Sequence, residues 1–307
     1  MTQTKAKQFA HAAELLLDSK AILAEGPHWN ARQNRLYWVD IQGLSFGHLD
    51  TATGSNEQFN MGKTVGAVVC DAEDDEVVYL ATRDGFERFD CRTSTLTAIV
   101  DPESDKPGNR FNDGKCDSAG RYWAGTMQDV EANVTGALYV LDNDLSCRKA
   151  YDGVGVSNGI AWNEDETTMY YIDSMKGTVR AFDYDAAAGD IANPRVIIDF
   201  REEEGAPDGM TIDAEGMLWI AHWGGWQVSR WNPATGKKLE AVYVPAAKAT
   251  SCVFGGEDLG TLYITTASIG ISPAELQEQP HAGGIFMYRP GVGGTPTHAF
   301  RSGKSLN

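Results

Sequence analysis

One short strand motif recurs six times along the chain and limits the folds that the sequence can adopt. Each copy is an apolar run with an aromatic residue, placed just after an acidic or glycine-containing turn. The aromatic residues fall about 40 to 50 positions apart, which is the period of a β-propeller blade. They are Trp38, Tyr79, Trp123, Tyr171, Trp219 and Tyr263. The pattern therefore predicts an all-β fold, a six-bladed β-propeller.

The segments between the motifs support the same architecture. Further apolar strands follow several of the motifs, as at residues 136–142 and 284–289, and the turns are rich in Asp, Asn, Gly and Pro. A β-sandwich also consists of short strands, but it would not repeat one strand six times at this spacing. We expect a single domain over residues 1–307. A strand within residues 14–22 should close the ring by pairing with the last blade.

Composition restricts the classes of partner. The formal net charge is −17 and no cluster of Lys and Arg is present, which argues against a nucleic-acid partner. No apolar run is long enough to span a membrane, and the N-terminus lacks the pattern of a signal peptide. The five cysteines show neither disulfide nor zinc-site spacing. We therefore expect a cytoplasmic protein with a small-molecule partner, either a monomer or a small homo-oligomer.

The repeat also predicts which side chains point at the central axis. The first strand of each blade lines the channel, and its opening position lies roughly a dozen residues before each aromatic. These positions hold oxygen-bearing side chains in most of the repeats: Glu25, residues 64–66, Asn112, Asn158, Asp208 and the pair Thr250 and Ser251. Such oxygens suit Ca²⁺, Mg²⁺ or Mn²⁺, and Zn²⁺ or Fe²⁺ are also feasible. Alternatively, these residues could bind only ordered water, or each Asx-Gly pair could mark a turn.

Other motifs have structural alternatives. Residues 155–159 (GVSNG) fit the nucleophile elbow of serine hydrolases, but they lack the required strand–turn–helix context, so Ser157 is interpreted as a turn or channel residue. His28 and His222 are expected near the channel mouth in structural roles. Trp223 and Trp226 could stack on a sugar ring or could simply belong to a turn.

Several longer motifs carry a family resemblance. They lie at residues 25–29 (EGPHW), 110–127 (RFNDGKCDSAGRYWAGTM), 157–163 (SNGIAWN) and 207–220 (PDGMTIDAEGMLWI). Together they resemble the family of senescence marker protein (regucalcin), gluconolactonases and luciferin-regenerating enzyme, over most of the chain. The resemblance implies one divalent metal ion on Glu25, Asn158 and Asp208. It implies substrate contacts at Arg110, Asn112 and, after the AGTM motif, Glu131.

The activity that the resemblance implies is hydrolysis of a sugar lactone. A bound cation can polarise a carbonyl group and lower the pKa of water. Asp208 is the candidate general base, with Asp173 as the alternative unless it merely ends a strand. Arg110 and Asn112 would hold sugar hydroxyls and stabilise the oxyanion, although Arg110 could instead form a structural ion pair. Glu131 could accept a hydroxyl hydrogen bond.

Three other functions remain open at this point. They are a calcium-binding, regucalcin-like protein without significant turnover, a phosphotriesterase-like metal hydrolase, and a non-enzymatic propeller scaffold. The sequence does not identify the sugar, whose hydroxyls would be read by mouth loops at residues 62–64, 129–135 and 268–280.

Overall fold

The computed structural model describes residues 9–303, and these residues are organised almost entirely as β-strands. The all-β prediction is therefore confirmed. Within the described chain, none of the helical segments is long and apolar enough to cross a membrane. All five cysteines are free thiols.

Two short strands near the N-terminus precede four separate four-stranded sheets. The N-terminal strands are β1 (His11–Ala12) and β2 (Glu14–Leu17). The first sheet comprises β3 (Ala24–Asn30), β4 (Arg35–Asp40), β5 (Ser45–Asp50) and β6 (Asn56–Asn60). The second comprises β7 (Val65–Cys70), β8 (Val77–Thr82), β9 (Gly85–Asp90) and β10 (Thr95–Val100).

The third and fourth sheets repeat this antiparallel order. The third comprises β11 (Asn109–Cys116), β12 (Tyr122–Gln128), β13 (Gly136–Leu141) and β14 (Cys147–Val154). The fourth comprises β15 (Ser157–Trp162), β16 (Thr168–Asp173), β17 (Thr178–Asp185) and β18 (Asp190–Asp199). A 3-10 turn, Ser174–Lys176, connects β16 to β17.

The remaining strands form one nine-stranded sheet that also includes β1 and β2. One half comprises β19 (Ala206–Ile212), β20 (Leu218–Trp223), β21 (Gln227–Asn232) and β22 (Lys237–Tyr243). The other half comprises β23 (Lys248–Gly255), β24 (Thr261–Ala267) and β25 (Ile285–Tyr288), to which β2 is added. The two halves join where Trp223 of β20 pairs with Lys248 of β23.

The first strands of these units contact one another in a closed cyclic order, β3, β7, β11, β15, β19, β23 and back to β3. The N-terminal strand completes the last unit, because β2 pairs antiparallel with β25. This confirms the predicted pairing, although the strand is limited to Glu14–Leu17. The ring leaves no first strand at an open edge, and the axis runs between these strands.

The six aromatic residues of the repeat all lie on the second strands, β4, β8, β12, β16, β20 and β24, and are buried. The core forms between neighbouring units: Val39 and Phe46 of the first sheet pack with Val68 and Leu80 of the second. Truncating a buried tryptophan such as Trp123 to Ala would cost about 3–5 kcal/mol. The repeated motif therefore forms the layer next to the first strands in a packed ring.

The stretch 268–280 differs from the sequence-based expectation of an irregular loop. It contains one short helix, α1 (Pro273–Glu278), which begins with a capping box between Ser272 and Glu275. The helix buries no residue, so it leaves no periodic apolar pattern for a sequence reading to detect.

Candidate metal and substrate site

One cavity of about 350 Å³ at the mouth of the ring brings together the six residues that the sequence analysis assigns to the metal and the substrate. Its lining includes Glu25, Arg110, Asn112, Glu131, Asn158 and Asp208. Most of these residues lie near the N-terminal ends of the first strands β3, β11, β15 and β19. Side chains that are far apart in sequence therefore meet at one end of the axis.

A β-bulge occurs at the site position of each first strand. The pairing register shifts between Glu25 and His28 in β3, between Asn158 and Ile160 in β15, and between Pro207 and Met210 in β19. Strand β11 has its shift between Phe111 and Gly114. A bulge inserts an extra residue and redirects the neighbouring side chains. These irregularities turn the polar side chains toward the axis while the rest of each strand stays paired.

The glycines that follow the polar residues allow the first strands to approach closely. A Cβ atom at Gly159 would lie 2.6 Å from a side-chain atom of Met210, and one at Gly209 would lie 2.0 Å from Oγ of Ser251. Both distances are shorter than any van der Waals contact. The Asn-Gly and Asp-Gly pairs here lie within strands, so the alternative interpretation as simple turn signals is wrong for these two positions.

Two buried carboxylates at the mouth lie close enough to affect each other. Burial, followed by the charge of Glu25, raises the pKa of Asp208 well above its usual range. Burial, followed by the charge of Asp113, likewise raises the pKa of Glu25. The Glu25 carboxylate accepts a hydrogen bond of 2.8 Å from the backbone N–H of Gly26. Across residues 9–303, neither Glu25 nor Asp208 forms a salt bridge.

A hydrogen-bonded chain of side chains orients the carboxamides. The Nδ2 group of Asn112 donates to Oδ1 of Asn158 over 3.1 Å and to the carbonyl oxygen of Ser157 over 2.7 Å. Asn158 in turn donates through Nδ2 to Oγ of Ser174 over 2.8 Å, and Ser174 donates to the carbonyl oxygen of Pro207. These contacts place the Asn158 Oδ1 atom in the cavity with a second lone pair available.

Arg110 is held in place by neighbouring residues of the third sheet. Its Nε donates to Asp129 Oδ1 over 2.8 Å, and its Nη1 donates to Asn112 Oδ1, also over 2.8 Å. Within the described part of the chain, Nη2 has no hydrogen-bond partner. The structural ion pair considered for Arg110 therefore exists, and it fixes a guanidinium group whose outer nitrogen can still donate to a ligand.

The donor set fits a hard divalent cation. Two carboxylates and a carboxamide oxygen converge, and buried carboxylates without a cationic partner are costly. No group of three or more His, Cys, Asp and Glu side chains within residues 9–303 is placed to bind a metal ion. A cation bound at the mouth would consequently need the oxygen of Asn158 as its third protein ligand.

The structure removes several alternative residues from the site. Asp173 ends β16, where its two oxygens accept the backbone N–H groups of Gly155 and Val156, and it pairs with Lys176. It does not line the cavity. Ser157 is fully buried and accepts a 2.6 Å hydrogen bond from the Tyr171 hydroxyl. The nucleophile-elbow motif therefore contributes a structural serine.

Neither of the two histidines expected near the mouth lines the cavity. His28 follows the β3 bulge and lines a separate cavity together with His298 and Arg301. His222 is fully buried, where its ring nitrogens hydrogen-bond the Glu204 carbonyl oxygen and the Ser229 hydroxyl. Both histidines have the structural character considered for them, since burial lowers the pKa of His28 to about 3 and that of His222 to about 4.

Sequence reasoning missed half of the cavity wall. Apolar residues complete the lining: Leu23, Met127, Val156, Met175, Ala206 and Trp223. Of these, only Trp223 was indicated by the sequence, as one of two candidate stacking residues. Trp226, the other candidate, does not line the cavity and stacks on Tyr243 instead.

Comparison with known proteins identifies the family to which this chain is similar. Residues 23–268 match the family model described as "SMP-30/Gluconolactonase/LRE-like region". Regucalcin from Gallus gallus is 42% identical, with 91% of this chain and 94% of the relative covered. The protein named "Putative sugar lactone lactonase YvrE" from Bacillus subtilis is 39% identical, with 92% and 96% covered.

A solved structure supports the fold independently of these sequence matches. A regucalcin from Agrobacterium tumefaciens, described as a calcium-binding protein, superposes with a TM-score of 0.90 at 27% identity. The superposition covers 95% of this chain and 98% of that one. Since the family model spans most of the chain, this protein belongs to the SMP-30/gluconolactonase/LRE-like family.

Proposed function

We propose that this protein is a metal-dependent sugar lactonase that hydrolyses an aldonolactone to the aldonic acid. The observation that carries the proposal is the meeting of Glu25, Asp208 and the Asn158 oxygen beside the fixed guanidinium of Arg110. The relative named as a putative sugar lactone lactonase has a similar length, and it supports the choice of a sugar lactone as the substrate class.

We further infer that the four-stranded units are the blades of one six-bladed propeller. The support is the cyclic contact order of six first strands and the addition of β2 to the last unit. The joining of two units at Trp223 and Lys248 is then a contact between neighbouring blades.

Glu25, Asn158 and Asp208 would hold one divalent ion, whose identity among Ca²⁺, Zn²⁺, Mn²⁺, Mg²⁺ and Fe²⁺ is left to experiment. When bound, such an ion polarises a carbonyl oxygen and lowers the pKa of water. The chain holds these three ligands on three different strands, β3, β15 and β19, so their separation is fixed by the ring rather than by a loop.

Asp208 is the proposed general base. Its carboxylate lines the cavity, whereas both oxygens of the alternative base, Asp173, are engaged by backbone N–H groups. A base must reach the proton that it removes. Asp208 would accept a proton from water that attacks the lactone carbonyl and would return it to the ring oxygen as the C–O bond breaks.

Arg110, Asn112 and Glu131 would bind the substrate. The free Nη2 of Arg110 can donate to the oxyanion or to a hydroxyl group. Asn112 hydrogen-bonds both Arg110 and Asn158 and so fixes their relative positions. Glu131 lines the outer part of the cavity at a position with φ of +53° and can accept a hydrogen bond from a sugar hydroxyl.

One observation favours a second candidate, a phosphotriesterase-like hydrolase. Such an activity needs an open apolar surface, and half of the cavity lining is apolar. A calcium-binding protein without turnover would use the same three metal ligands, so only an activity measurement separates these functions.

The test follows acid release from a panel of aldonolactones with a pH indicator and hydrolysis of a panel of phosphotriesters. Metal-stripped protein, protein reloaded with single divalent ions, and the Asp208→Asn variant are compared after spontaneous hydrolysis is subtracted. The exposed Asp190 provides a matched control variant, Asp190→Asn. Metal-restored lactone turnover that only Asp208→Asn abolishes would support the proposal. Turnover of phosphotriesters alone, or of neither class, would overturn it.

A further inference from the structure

The lining of the candidate cavity combines polar and apolar side chains from several units of the ring. Arg110 lies on β11. Trp223 ends β20, whose unit begins with β19, and β19 is two steps from β11 in the cyclic order of first strands. The two side chains therefore reach the cavity from different units, with the fourth sheet between them. A ligand between them would meet hydrogen-bond donors on one side and an indole ring on the other.

The indole ring of Trp223 is held in a fixed position. Its backbone pairs with Ala206 on one side and with Lys248 on the other. The Nζ atom of Lys248 lies 4.7 Å from the ring centroid and donates a 2.6 Å hydrogen bond to the Ile269 carbonyl oxygen. Trp223 also packs against the cluster that contains Leu23. A cation over an aromatic face restrains the ring.

Trp226 shows that this arrangement is specific to Trp223. It lies in the same turn, but its ring is parallel to that of Tyr243, with an interplanar angle of 4° and a centroid distance of 6.3 Å. Its backbone has a φ of +60°, and its side chain is absent from the cavity lining. The chain therefore supplies a natural control for a tryptophan without substrate contact.

We propose that Trp223 is a specificity-determining residue, the platform on which the C–H face of a cyclic substrate lies. This inference rests on the proposed function and names the substrate class more closely. The preferred substrate is a monocyclic lactone whose hydroxyl groups point toward Arg110 and Glu131 while its ring carbons lie on the indole. Flat contact between an aromatic ring and apolar C–H groups contributes through burial and dispersion. Open-chain esters, which present no such face, gain nothing from the platform.

Lys248 is a positioning residue in this account. Its ammonium group does not line the cavity, so it acts through the ring of Trp223. Lys248→Met should let the indole move and raise KM, whereas Lys248→Arg keeps a cation over the ring and should restore most of the loss.

The first experiment measures kcat and KM for δ-gluconolactone, or for the best lactone of the panel, with the metal-loaded protein. Trp223→Ala should raise KM about tenfold and change kcat by less than about twofold, because stacking holds the ground state and transition state alike. Trp223→Phe should retain most of the binding. Trp226→Ala should leave both constants unchanged. Hydrolysis of an open-chain ester should lose less than hydrolysis of the lactone when Trp223 is changed to Ala.

A second experiment detects binding without turnover. Saturation-transfer NMR follows 1,5-anhydroglucitol, a cyclic polyol with no carbonyl group, on wild-type, Trp223→Ala and Trp226→Ala proteins. Saturation of the ring C–H protons should be seen with wild-type and Trp226→Ala protein and be lost with Trp223→Ala. Trp223→Met, which is apolar but not planar, serves if the Ala variant does not fold.

The outcomes separate this inference from the lactonase proposal. Lactone turnover with an unchanged KM and unchanged NMR signals in both Trp223 variants would overturn the platform and leave the lactonase intact. Binding that depends on Trp223 in a protein with no lactone turnover would uphold the platform and overturn the lactonase. Absence of both lactone turnover and NMR-detected binding in the wild-type protein would overturn both proposals.

Discussion

Asp117 and Asp213 directly follow the first strands β11 and β19 at the end of the ring that is remote from Asn112 and Asp208. They are about as deeply buried as Glu25 and Asp208 at the mouth. Asp117 accepts hydrogen bonds from Nε of Arg121 over 2.6 Å and from Nε1 of Trp123 over 2.9 Å.

Asp213 has an equivalent set of partners. It accepts from Nε1 of Trp219 over 2.9 Å, from Nε of Arg230 over 2.7 Å, and from the backbone N–H of Met217. Both carboxylates therefore face a cation and several donors. The protein itself therefore supplies the hydrogen bonds and the countercharge of each carboxylate.

The carboxylates at the mouth lack this compensation. Glu25 faces Asp208 and Asp113, and burial together with these like charges raises the pKa of Glu25. The comparison separates two kinds of buried carboxylate in the same ring. The compensated pair stabilises the fold, whereas the uncompensated pair is the one to which we assign the cation.

Asp208→Asn should produce the largest effect on activity. We expect kcat/KM for lactone to fall by about 10³-fold or more, because one change removes a metal ligand and the general base. In the presence of chelator, the free energy of unfolding should stay the same or rise, since a like charge is removed. Chemical denaturation and steady-state kinetics measure the two quantities. A large loss of stability would place Asp208 among the structural carboxylates.

Asp213→Asn should do the opposite. The amide nitrogen of Asn would meet the Trp219 and Arg230 donors, so the free energy of unfolding should fall by about 3 kcal/mol. The variant that remains folded should keep kcat/KM within about threefold of wild type. Urea denaturation at a temperature well below the transition provides the test, and an unchanged midpoint would contradict it.

Arg110→Lys should weaken substrate binding while preserving the positive charge. The change removes the fixed fork that bonds Asp129 and Asn112, so kcat/KM should fall roughly 30- to 100-fold. Metal affinity should change little. Arg83, which also contacts Asp129 but is partly exposed, provides the matched Arg83→Lys control. Equal losses of kcat/KM in the two variants would contradict this role of Arg110 and show that only the ion pair with Asp129 matters.

Stability without metal should depend on pH in a direction set by Glu25. Burial and Asp113 raise the pKa of Glu25 to about 8, from 4.5 in the unfolded chain. Between these values the folded state holds a proton that the unfolded state has released, so stability falls as pH rises. We expect a loss of about 2 kcal/mol between pH 6 and pH 8 in chelator. Asp208, whose pKa burial also raises, contributes a slope of the same sign. Glu25→Gln should therefore reduce the slope, and an unchanged slope would refute the assignment.

The repeat in the sequence was sufficient to predict the strands and the axis. The aromatic residues lie on the second strands, and the polar residues lie on the first strands: Glu25, Asn112, Asn158 and Asp208. The prediction succeeds because the spacing between the polar and the aromatic position is similar in every unit. The strand repeat is visible in the sequence because each unit of the ring packs only against its neighbours.

The orientation of single side chains could not be predicted in the same way. His28 lies farther along β3 than Glu25 and lines a separate cavity, and the register shift between the two residues is not visible in the sequence. Asp173 accepts hydrogen bonds from the backbone N–H groups of Gly155 and Val156, and the sequence does not show this contact. The choice between Trp223 and Trp226 depends on Lys248, which pairs with Trp223 from the neighbouring unit. Such contacts are tertiary, and a single sequence does not contain them.

The central claim is that the uncompensated carboxylates at the mouth bind a cation. Isothermal titration of metal-stripped protein with Ca²⁺, Mn²⁺ and Zn²⁺ tests it directly, using wild type, Asp208→Asn, Glu25→Gln and Asp213→Asn. The account predicts one ion per chain for wild type and Asp213→Asn, with affinity reduced at least about 100-fold in the other two variants. Absence of binding in wild type, or affinity that Asp208→Asn and Glu25→Gln leave unchanged, would contradict it.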